Sequence, residues 1–180
     1  MLRFPRRFSM STTAQPLAGP LASLPAELFS LLEGASIMHL ATRNAALEPT
    51  SVLAFGLRVE EGGRELTLFL PATLSEVPLR NLRDNGQMAL SVVSPPDNRA
   101  VQIKGTWLGE RRTDDADRAF VSGYRDALTQ TLGMVGVPRS MWRRVIWWPS
   151  LALRMEPREV FVQTPGPSAG ARCGGGARSS

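Results

Sequence analysis

The chain has 180 residues, 43% of them hydrophobic and 21% charged, with a single cysteine, Cys173, and a single histidine, His39. That length and composition suit one domain with an ordinary core and exclude chain-wide disorder, an intrachain disulfide framework and a multi-histidine or thiolate metal cluster within one chain. The net charge of +5 belongs to the ends: Arg3, Arg6, Arg7, Arg172 and Arg178 lie in acid-free termini, and basic and acidic residues balance between them.

Residues 1–20 hold those first three arginines and three prolines without a sustained period, and read as a disordered basic leader. Residues 24–33 (LPAELFSLLE) predict a short helix with Pro25 in its first turn and Gly34 as its stop. Strand-like runs follow at 36–42, at 49–60 with Gly56 as a bulge or bend, and at 65–70, the last two joined by a Glu61-Gly62-Gly63 turn. A helix at 74–85 ends at Asn85-Gly86, and strands at 87–94 and 100–109 flank the turn Pro95-Pro96-Asp97-Asn98.

A longer helix spans 114–132, with Thr113 as N-cap, Asp114, Asp115 and Asp117 in its first turn, and Phe120, Tyr124 and Leu128 on one stripe. A short amphipathic segment at 139–148 and a last strand at 152–163 complete the core. Residues 165–180, rich in Gly, Pro, Ser and Ala, read as a flexible tail, which leaves 21–164 as the folded domain. Six strands with few, irregularly placed helices predict an α+β, mainly β fold: an antiparallel barrel with short peripheral helices, not a doubly wound sheet.

Acid–base chemistry finds little anchorage. His39 sits in an apolar strand and reads as a satisfied half-buried histidine rather than a catalytic base; no GxSxG elbow is present. The three aspartates are accounted for by a helix start. Trp142, Trp147 and Trp148 beside Arg143 and Arg144 read as one side of a short helix packed on the barrel, with a ring-stacking patch as the alternative. Cys173, in the tail, has no partner in view.

A bound cofactor can supply reactivity that the side chains lack. The junction Leu70-Pro71-Ala72-Thr73-Leu74-Ser75 offers hydroxyls and helical N–H groups to a phosphate. Gln102 and the only lysine, Lys104, stand on a later strand.

The ordered set IMHLATRNAALEPTSVLAF, TLFLP, RNLRDNG before MALSVV, VQIKGTW and VFVQTPGPSAG resembles the pyridoxamine 5′-phosphate oxidase-related, FMN-binding split-barrel proteins, over roughly residues 24–170. The resemblance implies a six-stranded split β-barrel homodimer with flavin at the subunit interface, acting as an oxidoreductase on a small molecule. It implies a ring along Thr50, Ser51, Val52 and Leu53, and a phosphate near Leu70, Pro71, Ala72, Thr73 and Ser75, with Arg80, Asn81, Gln102 and Lys104 in reach. No side chain would be an acid–base catalyst.

One departure stands out. Such proteins usually carry a lysine three residues before the Asn-Leu pair; here Pro78 takes that place, and Glu76 puts an acid where an anion should bind. A deazaflavin, haem on His39, or a non-enzymatic ligand-binding or stress-related dimer with an empty barrel are therefore the alternatives to FMN. Nucleic acid is not an expected partner, because only the tails are basic. Without a bilayer-length apolar run or a secretory signal, the expectation is a cytoplasmic protein with no membrane partner.

Overall fold

The computed structural model describes residues 23–173; the expected basic leader and residues 174–180 lie outside the described residues. A 3-10 turn (Ala26–Leu28) leads into helix α1 (Phe29–Leu32), followed by strands β1 (Ile37–Arg43), β2 (Pro49–Ala54), β3 (Leu57–Glu60) and β4 (Glu65–Pro71). A second 3-10 turn (Ala72–Leu74) precedes helix α2 (Glu76–Asn85), which leads to β5 (Gln87–Val93) and β6 (Ala100–Arg112). Helices α3 (Asp115–Met134) and α4 (Arg139–Arg143) then lead to β7 (Ser150–Val162) and β8 (Arg172–Cys173).

All pairings are antiparallel, in the order β2-β1-β5-β6-β7-β4-β3, with β8 added to β7. The mainly β class and the antiparallel architecture are as expected, but the strands number eight among the described residues, not six. The difference arises at two places.

The first is Gly56. The run 49–60, read as one strand, breaks there at φ +97°, a conformation that favours glycine. Its first half pairs with β1 and its second with β4, at opposite ends of the strand order. The Phe55 N–H donates to the Phe69 carbonyl (2.8 Å) and the Phe69 N–H to the Gly56 carbonyl (3.2 Å), so the corner ties the two edges of the sheet together. The second is the tail. Gly166 and Gly170, both at positive φ, turn the chain back so that Phe161 pairs with Arg172 and Val160 with Cys173. Residues 165–173 are thus held on the barrel, where the composition predicts a flexible segment.

The barrel interior follows from period-two alternation. Met38 and Leu40 of β1, Met88, Leu90 and Val92 of β5, and Val101 and Ile103 of β6 are buried. Their neighbours Ala41, Ala89, Ser91, Gln102 and Lys104 are half-buried, and His39 is exposed. His39 is therefore an exposed, outward-facing residue and not the half-buried histidine expected, because the core face of β1 takes the even-numbered positions.

Strand β4 is buried on both faces from Leu66 to Pro71. Leu66, Leu68 and Leu70 are fully buried, and Phe69, of the opposite parity, packs on Phe120 of α3 with ring centroids 5.4 Å apart.

Helix α3 is docked by an acid. Asp114, not Thr113, is the N-cap: its carboxylate accepts from the Asp117 N–H (2.8 Å), and the Asp117 carboxylate accepts from the Asp114 N–H (3.2 Å), a capping box. The Thr113 hydroxyl instead donates to the Ser150 carbonyl (2.8 Å). Asp117 is 1% exposed and also bridges Arg58 of β3 (2.7 Å) and Arg111 of β6 (2.5 Å). The Arg58 guanidinium lies 4.3 Å from the Phe120 ring centroid. The tryptophan segment packs as the core-side reading requires: Trp142 meets Phe55 edge-on at 6.3 Å, and Arg125 lies 4.7 Å from the Trp147 centroid. Helix α4 is shorter than expected, ending at Arg143.

Hydrogen bonds from Arg111 and Arg58 hold the Asp117 carboxyl down at about 2, against an ordinary 3.8. A depressed carboxyl stabilises the fold fully above its unfolded pKa and ceases to do so as pH falls through its folded one. Stability is therefore expected to drop by about 2 kcal/mol between pH 4 and pH 2 through this group. In Asp117→Asn, urea unfolding should show that acid-dependent component removed and a lower stability at neutral pH; a variant with the wild-type pH profile would contradict the assignment.

Candidate functional site

Four neighbouring strands, β2-β1-β5-β6, turn one face outward, and the register puts residues from distant parts of the chain into rows across it. One row reads Ser51, Ala41, Ala89, Lys104; the next reads Leu53, His39, Ser91, Gln102. With strands about 4.8 Å apart, the first row runs roughly 14 Å from the Ser51 backbone to the Lys104 backbone. A groove of about 260 Å³ lies over this face. Its floor includes the two alanines, and Arg43, Gln87 and Lys104 line its sides.

The local structure holds those side groups in place. Arg43 ends β1 and donates to the Gln87 Oε1 (2.8 Å). The Arg43 carbonyl accepts from the Asn85 side-chain amide (2.8 Å), while the Asn85 Oδ1 accepts from the Gln87 N–H (3.0 Å). Gly86, left-handed at φ +66°, caps α2 and turns the chain into β5. Lys104 precedes a register shift at Gly105. A Cβ on Gly105 would stand 2.4 Å from the Glu156 carbonyl oxygen and 2.6 Å from the Met155 methyl, so β6 and β7 approach this closely only with glycine there.

The electrostatics of the groove are one-sided. Among the described residues neither Arg43 nor Lys104 forms an ion pair. Lys104 faces Phe161, 4.8 Å from its ring centroid. Glu159, opposite Lys104 in the ladder, is instead engaged by Arg172 of the tail strand at 3.2 Å. Two cations without acidic partners beside a flat, small-residue floor can receive a planar ligand with an anionic group.

The residues singled out from the sequence divide between this face and other places. Ser51, Leu53, Gln102 and Lys104 share the outward face. Thr50 and Val52 have the opposite parity and pair with Thr42 and Leu40, both buried. Asn81 is buried, its amide donating to the Thr42 hydroxyl (3.1 Å), so it holds α2 to β1. Arg80 is exposed on α2.

Leu70 and Pro71 are buried, Ala72 is half-buried and Thr73 is exposed. The Ser75 hydroxyl donates to the Ala72 carbonyl (2.7 Å), and no side chain caps α2. None of residues 70–75 lines the groove. Arg43, Gln87, Ala41 and Ala89 were not singled out from the sequence, although outward parity and paired alanines in two strands are visible there in retrospect. The described residues hold no cluster of three metal-ligating side chains, and no helix among them is long and apolar enough to cross a membrane.

No family model matches the chain, and no curated protein matches its sequence. Solved structures do match in shape. A structure named F420 reductase is 19% identical, covers 76% of this chain and 98% of its own, and gives a TM-score of 0.50. A candidate pyridoxamine 5′-phosphate oxidase from Lactobacillus delbrueckii is 16% identical, with 77% and 93% covered and a TM-score of 0.50. The chain has the split-barrel fold of the pyridoxamine 5′-phosphate oxidase-related proteins. HupZ of Group A Streptococcus also matches the split barrel, at 16% identity, 82% and 99% covered and a TM-score of 0.50. Identities this low speak for the shared split barrel; chemistry has to be argued from the groove.

Gly105→Ala is expected to destabilise the barrel by about 1–3 kcal/mol through overpacking against the β7 backbone. Thermal melting checks this: the midpoint should fall by several degrees, and an unchanged midpoint would contradict the close approach at this position.

Proposed function

We propose that this chain is a flavin-class oxidoreductase that binds FMN or a deazaflavin on the outer face of β1, β2, β5 and β6 and acts on a small molecule. The observation that carries the reading is the pair of cations that form no ion pair among the described residues, Arg43 and Lys104, beside the Ala41–Ala89 floor. The residues present fit such a group. A flat ring needs a floor without bulky side chains, and an anionic tail needs charge-assisted donors. The start of α2 fits an anion less well: Glu76 occupies its first turn, and Pro78 offers no charge.

When bound, the flavin supplies hydride or electron transfer. The chain binds and orients it: Arg43 and Lys104 would hold the anionic end, with Gln87 fixing the Arg43 guanidinium, and Ser51 and Gln102 would offer polar contacts along the rows. A second copy laid on this face would complete the site. One protomer's groove of about 260 Å³ falls below the roughly 300–1,000 Å³ usual for small-molecule pockets, and it is open to solvent. The working unit is accordingly a homodimer.

A haem reading is favoured by one observation: His39 is exposed on the same face, one row from Lys104. Titration followed by absorbance separates the readings. FMN or a deazaflavin should bind the wild type, and Arg43→Ala and Lys104→Ala should each weaken binding roughly tenfold, the loss of one charge-assisted contact, while His39→Ala leaves it unchanged. If neither flavin binds and haem gives a Soret band that His39→Ala abolishes, the haem reading replaces this one.

A further inference from the structure

The described residues contain seven exposed large apolar side chains, and four of them, Met134, Val135, Met141 and Ile146, fall within thirteen residues at the end of α3 and around α4. Met134 is 74% exposed, Met141 63% and Ile146 60%. Isolated exposed hydrophobics are ordinary; a run of them in one short segment is not.

The segment is firmly attached. The Val137 N–H donates to the Leu132 carbonyl (2.9 Å) and the Val145 N–H to the Trp142 carbonyl (3.2 Å). Trp142 and Trp147 are partly buried against the core. Arg125 grips the segment from α3, its guanidinium donating to the Trp142 carbonyl (3.4 Å) and lying against the Trp147 ring. The tryptophans therefore fasten the segment, while the methionines and Ile146 point away from the fold.

Along the chain through this tip the charge is of one sign, with Asp126 on α3 the last acid before it. From residue 127 to residue 155 the sequence contains no Asp or Glu, and Arg139, Arg143 and Arg144 fall among the exposed apolar positions. Arg139 and Arg144 are exposed. The chain between the two basic ends is balanced as a whole, so this stretch of sequence is locally basic among its exposed apolar positions.

We propose that the α3–α4 tip docks on an anionic lipid surface, with Met134, Met141 and Ile146 entering the headgroup–acyl boundary and Arg139 and Arg144 pairing with lipid phosphates and carboxylates. Apolar side chains flanked by arginines have the chemistry of a monotopic attachment, which needs no spanning helix. The tip is distinct from the groove residues, and the proposal stands independently of what the groove binds.

The test is sedimentation of the full chain with phosphatidylcholine vesicles, plain or with about one third phosphatidylserine. The wild type should pellet with the anionic vesicles, bind the neutral ones weakly, and be released by salt. Met141→Ser/Ile146→Ser and Arg139→Gln/Arg144→Gln should each reduce partitioning roughly tenfold, with unchanged melting temperature and oligomeric state. Three results would overturn the proposal: a wild type that does not bind anionic vesicles; variants that bind as the wild type does, which would assign the affinity to the basic ends; or a Met141→Ser/Ile146→Ser variant that loses a subunit, which would make the tip an interface between copies of this chain.

Discussion

The architecture depends on one corner, where the chain leaves β2 at Phe55 and enters β3 past Gly56. Two backbone hydrogen bonds to Phe69 tie the ends of a long antiparallel sheet to each other there. The same corner receives α3. A Cβ on Gly56 would lie 3.0 Å from the Phe120 ring, and Arg58, two residues on, stacks on that ring and pairs with Asp117. Closure and helix docking thus share their residues, and the sheet gains a defined inside and outside.

Everything proposed for the groove follows from that distinction. With Met38, Leu40, Leu90 and Ile103 committed to the interior, Ala41, Ala89 and Lys104 must face out. Alanines in two adjacent strands leave a shallow, flat floor, and the strand ends place Arg43 and Gln87 beside it. The tail contributes from a distance: Arg172 engages Glu159, and the Lys104 ammonium opposite lies over the Phe161 ring. The result is a surface suited to a planar anion, completed by whatever covers it.

Much of the fold was legible in the sequence because it rests on local signals. Alternation marked the strands, Gly62-Gly63 marked the hairpin, and Asn85-Gly86 marked the end of α2. Two features were not. Gly56 was visible as a bend, but nothing local says that the strands on either side join opposite edges of a sheet. Asp117 looked like a helix-dipole residue, and its pairing with Arg58 and Arg111 depends on elements up to 59 residues away. The candidate site divides in the same way. Lys104 stood out as the only lysine, but its row with Ala89, Ala41 and Ser51 is set by cross-strand register. Arg43 and Gln87 carry no motif, and they meet through a hydrogen bond between residues 44 positions apart.

Amide chemical shifts of the full chain during FMN titration test the outer-face assignment most directly. The account predicts perturbations concentrated in residues 37–43, 49–53, 87–91 and 102–106, with the interior-facing core otherwise undisturbed. Perturbations centred on residues 70–76 instead, or a spectrum that does not respond to FMN, would contradict it.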